Sequence, residues 1–290
     1  MWIVPTLQSN PVLLYVAVVL FGLIVGSFLN VVIVRLPVML EASWRQQCRA
    51  LLEPDAAEET GEPYNLVHPR SRCPHCQAPV RAIQNIPVVS WLWLRGRCAR
   101  CRAAIGLRYP VIEILAAVLA VAALSQFGLS WQLAGALALY WSFLAMSAID
   151  IEHQLLPDNI VLPLLWVGLL ANSFGLYTDI HSALYGAFFG YASLWLVFQG
   201  FRLLTGKEGM GYGDFKLLAC IGAWLGWQAL PLVILLAAFC GAIVGIAMIV
   251  FRGQERSQPI PFGPFLCAAA FVAMMWGPQL TDAYLQFAGL

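Results

Sequence analysis

The stretch GMGYGDFKLLACIGAWLGWQAL, residues 209–230, decides the fold. A segment with three glycines in five residues leads to Asp214, and an apolar run of helical length, residues 215–230, follows at once. An ionisable group at the mouth of such a run is costly in a membrane and usually has a chemical purpose. Because glycine adopts backbone conformations closed to other residues, the segment predicts a flexible mount for Asp214.

The composition of the whole chain extends this interpretation. Of the 290 residues, 61% are hydrophobic and only 11% are charged, which is too little polar surface to cover a soluble globule. The runs long enough for membrane helices are residues 11–34, 111–127, 131–149, 160–176, 183–201, 215–230, 232–251 and 262–280. The sequence therefore predicts an all-α polytopic membrane protein with eight transmembrane helices. We divide it into a first transmembrane helix (1–34), a large loop (35–109) and a seven-helix membrane core (110–290).

The basic residues predict how the chain is oriented. Residues 1–10 contain no Lys or Arg, so the first run does not resemble a cleavable signal peptide and should be retained. All sixteen Lys and Arg residues lie in or at the edge of residues 35–110, 150–159, 202–214 and 252–261, which share one side of the membrane if eight spans alternate. The positive-inside rule makes that side cytoplasmic and leaves both termini on the opposite, periplasmic side.

The loop of residues 35–109 is the main part outside the membrane. It holds eleven arginines against six acidic residues, which favours the anionic lipid surface as its electrostatic partner. Nucleic acid is not expected as a partner, because the arginines are scattered and form no compact patch. The first half of the loop is predicted to be partly irregular, and its acidic cluster comprises Glu53, Asp55, Glu58, Glu59 and Glu62.

Two CxxC pairs occupy the second half of the loop, Cys73 with Cys76 and Cys98 with Cys101, separated by twenty-one residues. Four thiolates at this spacing are typical of a tetrahedral structural zinc site. Two redox dithiols or two disulfides are the alternatives. A cytoplasmic location disfavours disulfides, and the closeness of the pairs favours a single shared ion.

A second acid, Asp150, follows the third apolar run and should reach the same membrane face as Asp214. Two carboxylates at one membrane face allow three hypotheses: an aspartic membrane protease, a cation or proton carrier, and a zinc-knuckle scaffold without catalysis. A carrier would place its acids near the bilayer midplane, and a scaffold leaves both aspartates unexplained. The protease hypothesis fits best.

These motifs together resemble those of the bacterial type IV prepilin peptidases. The resemblance rests on Gly211, Gly213 and Asp214 as a GxGD motif, on residues 148–158, on the CxxC pairs and on the eight spans. It also covers residues 26–31, 108–113 and 261–264. It implies an enzyme of the bacterial inner membrane that cleaves the basic leader of type IV prepilins and type II secretion pseudopilins at the cytoplasmic face. The enzyme then methylates the new N-terminal residue with S-adenosylmethionine.

The resemblance also assigns roles to single residues. It implies Asp150 and Asp214 as the catalytic pair within a protease core at 110–290, and the four cysteines as zinc ligands. Helix dipoles suggest that Asp214 begins as the base and Asp150 as the protonated acid. The remaining expectations are a supporting role for Gly211, Gly213 and Lys216, and a methyl-donor site that includes Gly96, Arg97 and Glu113.

Overall fold

A computed structural model describes residues 10–52, 64–207, 209–252 and 260–288. Within these residues the regular structure is helical, and the strand-like pairs are two isolated bridges, Arg72 with Pro79 and Arg97 with Ala104. The helices are α1 (Pro11–Leu52), α2 (Val89–Trp93), α3 (Arg108–Phe127), α4 (Trp131–His153), α5 (Asp158–Ser173), α6 (Ile180–Thr205), α7 (Tyr212–Leu225), α8 (Leu230–Arg252) and α9 (Gly263–Ala288).

Each of the eight predicted apolar runs falls on one of the eight long helices, so the all-α membrane fold is confirmed. In the described part of the chain, six helices are long and apolar enough to cross a membrane: α1, α3, α4, α6, α8 and α9. The other two, α5 and α7, have 16 and 14 residues. In α7 ten of the 14 residues are buried, so mostly protein rather than lipid surrounds it and full membrane length is not required.

Helix α1 extends well past residue 34, where the sequence predicted its end, and continues to Leu52. Hydropathy marks only the part of a helix that fits a membrane. Residues 38–52 are rich in Leu, Glu, Ala, Arg and Gln, which favour a helix in water as well. The predicted acidic cluster, residues 53–62, lies outside the described residues.

The chain forms two compact units, and the first comprises residues Met1–Gly128. In it α1 packs closely on α3, because glycines bring the two backbones together. A Cβ atom added to Gly22 would lie 2.6 Å from Cα of Ala117, and one added to Gly26 would lie 2.6 Å from Cα of Glu113. Asn30 donates from Nδ2 to the carbonyl of Tyr109 at 3.1 Å, as expected for an amide inside a helix contact.

The second unit comprises residues Leu129–Leu290 and is built around α7. Helices α6 and α7 touch through their backbones, because a Cβ atom on Gly186 or on Gly222 would collide with the main chain of the other. A Cβ atom on Gly190 would lie 2.5 Å from the carbonyl oxygen of Leu218. This small-residue contact fixes α7 against its neighbour along most of its length.

The far end of α7 is held by Asn172 of α5, which is 1% exposed. Its Nδ2 donates to the carbonyls of Ala223 and Trp224 at 2.8 and 3.0 Å. Its Oδ1 accepts from the N–H groups of Tyr177 and Thr178 at 3.0 and 3.1 Å. One buried amide thus satisfies two carbonyls at the end of α7 that have no partner within the helix.

Candidate active site and metal centre

Asp150 lies in the last turn of α4 and is only 5% exposed. The helix ends just beyond it, where Gln154 adopts a left-handed conformation and donates its N–H to the carbonyl of Asp150 at 2.9 Å. The carboxylate of Asp150 accepts a buried hydrogen bond at Oδ2 from the backbone N–H of Gly263, at 3.1 Å. Its position is therefore set by α4 and by the first residue of α9.

Asp214 lies in the first turn of α7 and is 7% exposed. Gly211 caps this helix, and its carbonyl accepts the N–H of Asp214 at 3.3 Å. The side chains of Asp214 and Asp150 interact electrostatically. The structure thus brings together the two acids that the sequence pairs, although sixty-three residues separate them in the chain.

One of the glycines before Asp214 has a packing role that the sequence did not predict. Gly213 lies inside the first turn of α7, and a Cβ atom on it would sit 2.9 Å from Cβ of Leu156. Gly211 has φ −81, an ordinary value for any residue. Gly213 therefore belongs to the helix that carries Asp214 and permits close packing there, and the flexible mount stays a prediction.

Lys216 forms an ion pair with Asp158, the first residue of α5. Its Nζ lies 2.9 Å from Oδ1 and 2.7 Å from Oδ2 of that carboxylate. The pair connects the beginnings of α5 and α7, two residues from Asp214.

Two residues near the acids were missed by sequence analysis. Residues 261–264 were noted only as part of the family resemblance, yet the N–H of Gly263 donates to the carboxylate of Asp150. Cys267, to which the sequence assigned no function, interacts electrostatically with both Asp150 and Asp214. A signal that could have identified Gly263 is the Pro-Phe-Gly-Pro segment at residues 261–264, in which a glycine lies between two prolines at the start of a helix.

The four cysteines of the loop form one cluster, with all their Sγ atoms within 4.8 Å of one another. The Sγ atoms of Cys73 and Cys101 are 3.7 Å apart. The two CxxC turns share one geometry, because each first cysteine accepts from the residue four positions later, Gln77 or Arg102, and both of these have positive φ. Two equivalent turns facing each other are the arrangement that a four-thiolate metal site requires.

The electrostatics of this cluster also fit a cation. Backbone N–H groups of Cys101 and Arg100 lower the pKa of the Cys98 thiol to about 6. The pKa of Cys73 is lowered in the same way by its own turn. In contrast, the pKa of Cys101 is raised to about 11: the Ala103 N–H opposes this, but desolvation and the other three sulfurs outweigh it. Deprotonation of all four sulfurs therefore requires a positive ion among them, and a thiophilic ion such as zinc fits.

The residues expected at the methyl-donor site lie in the first unit and have local structural roles. Gly96 has φ +65, and a Cβ atom on it would lie 2.8 Å from Cζ2 of Trp91. Arg97 is exposed. Glu113 lies in the second turn of α3, and its Oε2 accepts from the N–H of Val88 at 2.7 Å. Among the described contacts, none joins Glu113 to Gly96 or Arg97.

Comparison with known proteins places these features in context. The family model "Bacterial Peptidase A24 N-terminal domain" matches residues 20–127, and the model "Type IV leader peptidase family" matches residues 137–246. The chain is 54% identical to a protein of Stutzerimonas stutzeri named "Prepilin leader peptidase/N-methyltransferase", over 98% of both chains. Proteins of the same name from Pseudomonas aeruginosa and Legionella pneumophila are 54% and 44% identical, over 98% and 96% of this chain and 97% of each relative. No solved structure matches.

Proposed function

Because the chain belongs to the type IV leader peptidase family, we propose that it removes the leader peptide of prepilins and then methylates the new N-terminus. The observation that carries the peptidase activity is the buried, interacting pair of Asp150 and Asp214. Two acids at adjoining helix ends, shielded from water, provide the general acid and general base that peptide hydrolysis needs.

In the proposed reaction one aspartate removes a proton from water while the other donates a hydrogen bond to the scissile carbonyl. Two neighbouring carboxylates repel each other when both are ionised, so the pair retains one shared proton and acts as one unit. Oδ2 of Asp150 accepts the Gly263 N–H, so a proton on Asp150 is carried at Oδ1. The dipole of α4 alone favours Asp150 as the acid, but this N–H offsets that effect. The proton order, with Asp214 as the first base, stays a prediction.

The proposed substrates are the prepilins of type IV pili and the pseudopilins of type II secretion. Such a substrate has a basic leader followed by an apolar helix, and its junction would meet the acids at the cytoplasmic membrane face. A helical peptide bond is shielded by its own hydrogen bonds, so the cleaved bond must be locally unwound. A glycine at the cleavage site reduces the cost of that unwinding.

The proposed location is the bacterial inner membrane, with the loop of residues 35–109 in the cytoplasm and both termini in the periplasm. The one-sided distribution of all Lys and Arg residues supports this orientation. The eleven arginines of the loop support contact with anionic lipid headgroups, and no nucleic acid is expected to bind. The role of residues 110–290 as the protease core also stays a prediction.

For the cofactors we propose a structural zinc ion at the cysteine cluster and S-adenosylmethionine as the methyl donor. Cys73, Cys76, Cys98 and Cys101 would hold the metal, which would cross-link the two halves of the loop. Gly96, Arg97 and Glu113 stay the candidates for the donor site. Gly211, Gly213 and Lys216 are proposed to support Asp214 through the cap, the Leu156 contact and the Asp158 ion pair.

One experiment tests the whole proposal. The purified protein is incubated with a prepilin, with and without S-adenosylmethionine, and the products are weighed by mass spectrometry. Loss of the leader in both samples, and one added methyl group only with the donor, is the expected result. If several prepilins remain unchanged, the carrier and scaffold hypotheses regain priority.

A further inference from the structure

We infer that Gly263 is a positioning residue for leader cleavage, because its backbone N–H holds Oδ2 of Asp150 and its missing side chain leaves room for that carboxylate. The inference rests on the proposed function, in which Asp150 takes part in the reaction. It concerns a contact between residues 113 positions apart in the chain.

The N–H of Gly263 is available because of its place in α9. Gly263 is the first residue of this helix, and N–H groups in a first turn have no partner within the helix. The carbonyl of Phe262 is already used by the N–H groups of Phe265 and Leu266, at 3.1 and 3.2 Å. Proline at position 264 has no N–H. Gly263 therefore offers a donor at this point, and Asp150 accepts it at 3.1 Å in a buried setting.

The space at Gly263 is occupied by the carboxylate. A Cβ atom there would lie 2.7 Å from Oδ2 of Asp150, a distance that real Cβ atoms essentially never show. The φ angle of Gly263 is not among the positive values that favour glycine, so an alanine can adopt this backbone conformation. Alanine at this position therefore reduces the space beside the Asp150 carboxylate without straining the backbone.

Leu156 is the second neighbour of Gly263, and the test has to distinguish an effect on Leu156 from an effect on Asp150. The same Cβ atom would lie 3.1 Å from Cδ2 of Leu156, a contact that a leucine can relax by moving. Leu156 also contacts Gly213 at the start of α7. A loss of activity through Leu156 would be a packing effect, whereas a loss through Asp150 would be a displacement of the reacting carboxylate.

The main test compares Gly263→Ala with the unaltered protein in leader cleavage and in methylation of an already cleaved pilin. We expect kcat for cleavage to fall about 10²-fold, the effect of moving a reacting group by about 1 Å. The KM for prepilin and the rate of methylation should stay within about twofold, because substrate binding and the second reaction do not use Asp150. Gly277→Ala, in the same helix with no atom within 4 Å of its added Cβ, should leave both activities unchanged.

Two further variants separate the explanations. If the double variant Gly263→Ala/Leu156→Ala recovers cleavage, the effect passes through Leu156 and the positioning role is overturned. If Asp150→Asn is inactive while Gly263→Ala keeps full cleavage, the inference fails and the proposed function stands. Cleavage retained in Asp150→Asn would overturn the proposed function itself.

A spectroscopic measurement covers the case in which Gly263→Ala also loses methylation through misfolding. Labelling with carbonyl-13C phenylalanine and 15N glycine restricts the amide spectrum to the five Phe–Gly pairs of the sequence, of which Phe262–Gly263 is one. The Gly263 amide should shift upfield in Asp150→Ala, since it loses its acceptor, while the other four stay in place. An unmoved Gly263 signal would overturn the inference.

Discussion

The ammonium group of Lys216 lies 2.7 and 2.9 Å from the two carboxylate oxygens of Asp158. The pair joins the first turn of α7, which carries Asp214, to the first residue of α5. The two side chains are 32% and 49% exposed, so the pair contributes less than about 1 kcal/mol to stability. Because the pair lies two residues from Asp214, we expect it to orient the start of α7.

We therefore expect Lys216→Met and Asp158→Asn to leave the melting temperature nearly unchanged and to lower kcat/KM for leader cleavage by less than about tenfold. The double variant should be no worse than either single variant, because both remove the same interaction. Cleavage rates of the four proteins at low and high salt check this. Additive losses would show that the two residues act separately.

The carboxylate pair makes a larger prediction. Asp150→Asn and Asp214→Asn should each lower leader cleavage by about 10²- to 10⁴-fold or more, because an amide of the same shape cannot exchange a proton. Methylation of an already cleaved pilin should continue in both variants. Mass spectrometry of the two products measures both reactions in one sample, and cleavage retained by either variant contradicts the pair.

The proton order has its own measurement. If Asp150 begins as the acid, the infrared C=O band of a protonated carboxyl group should disappear in Asp150→Asn and persist in Asp214→Asn. The two variants serve as controls for each other, since each leaves one carboxyl group in place. The opposite pattern would assign the first proton to Asp214.

Metal removal should affect the cysteine loop before anything else. In Cys73→Ser/Cys98→Ser, or after chelation, we expect the bound zinc to be lost and residues 64–107 to become sensitive to protease, because the metal joins the two CxxC turns. Elemental analysis and mapping of the first cleavage sites provide the readout. A chelated protein with an intact loop that has lost only methyl transfer would point to a direct role of the metal in that reaction. Cys48→Ser, outside the cluster, is the matched control.

Asn172 is expected to matter for stability rather than for chemistry. Asn172→Ala leaves two buried carbonyls and two N–H groups without their side-chain partner. At about 1–3 kcal/mol for each group that water cannot reach, the loss should be about 3 kcal/mol or more. Thermal unfolding in detergent measures it, and Ser173→Ala, next to it on the exposed side, should change little. A wild-type melting temperature for Asn172→Ala would contradict the capping role.

Hydropathy predicted the helices well, because an apolar run long enough for a membrane has few alternatives to a helix. Hydropathy gave no signal for the part of α1 beyond its apolar run, because those residues are more polar. It therefore missed the continuation of the helix to Leu52. The CxxC spacing predicted the metal cluster because both turns are local structures with their ligands four residues or fewer apart.

The surroundings of the two acids were harder to predict. Charge topology was sufficient to pair Asp150 with Asp214, but the glycine-rich segment did not reveal that Gly213 lies in the first turn of α7 and packs against Leu156. Gly263 was missed because glycine is selected there by the room beside a residue 113 positions away, and composition carries no record of such a neighbour.

The backbone contact between Gly186 and Gly222 limits how the enzyme can open. Because no side chains separate α6 and α7 at this contact, sliding one helix past the other would bring main-chain atoms into collision. We expect them to travel as a single rigid pair, with Asp214 as a fixed reference point. Any gate that admits a substrate helix must then be hinged elsewhere in this unit, for example at the start of α9.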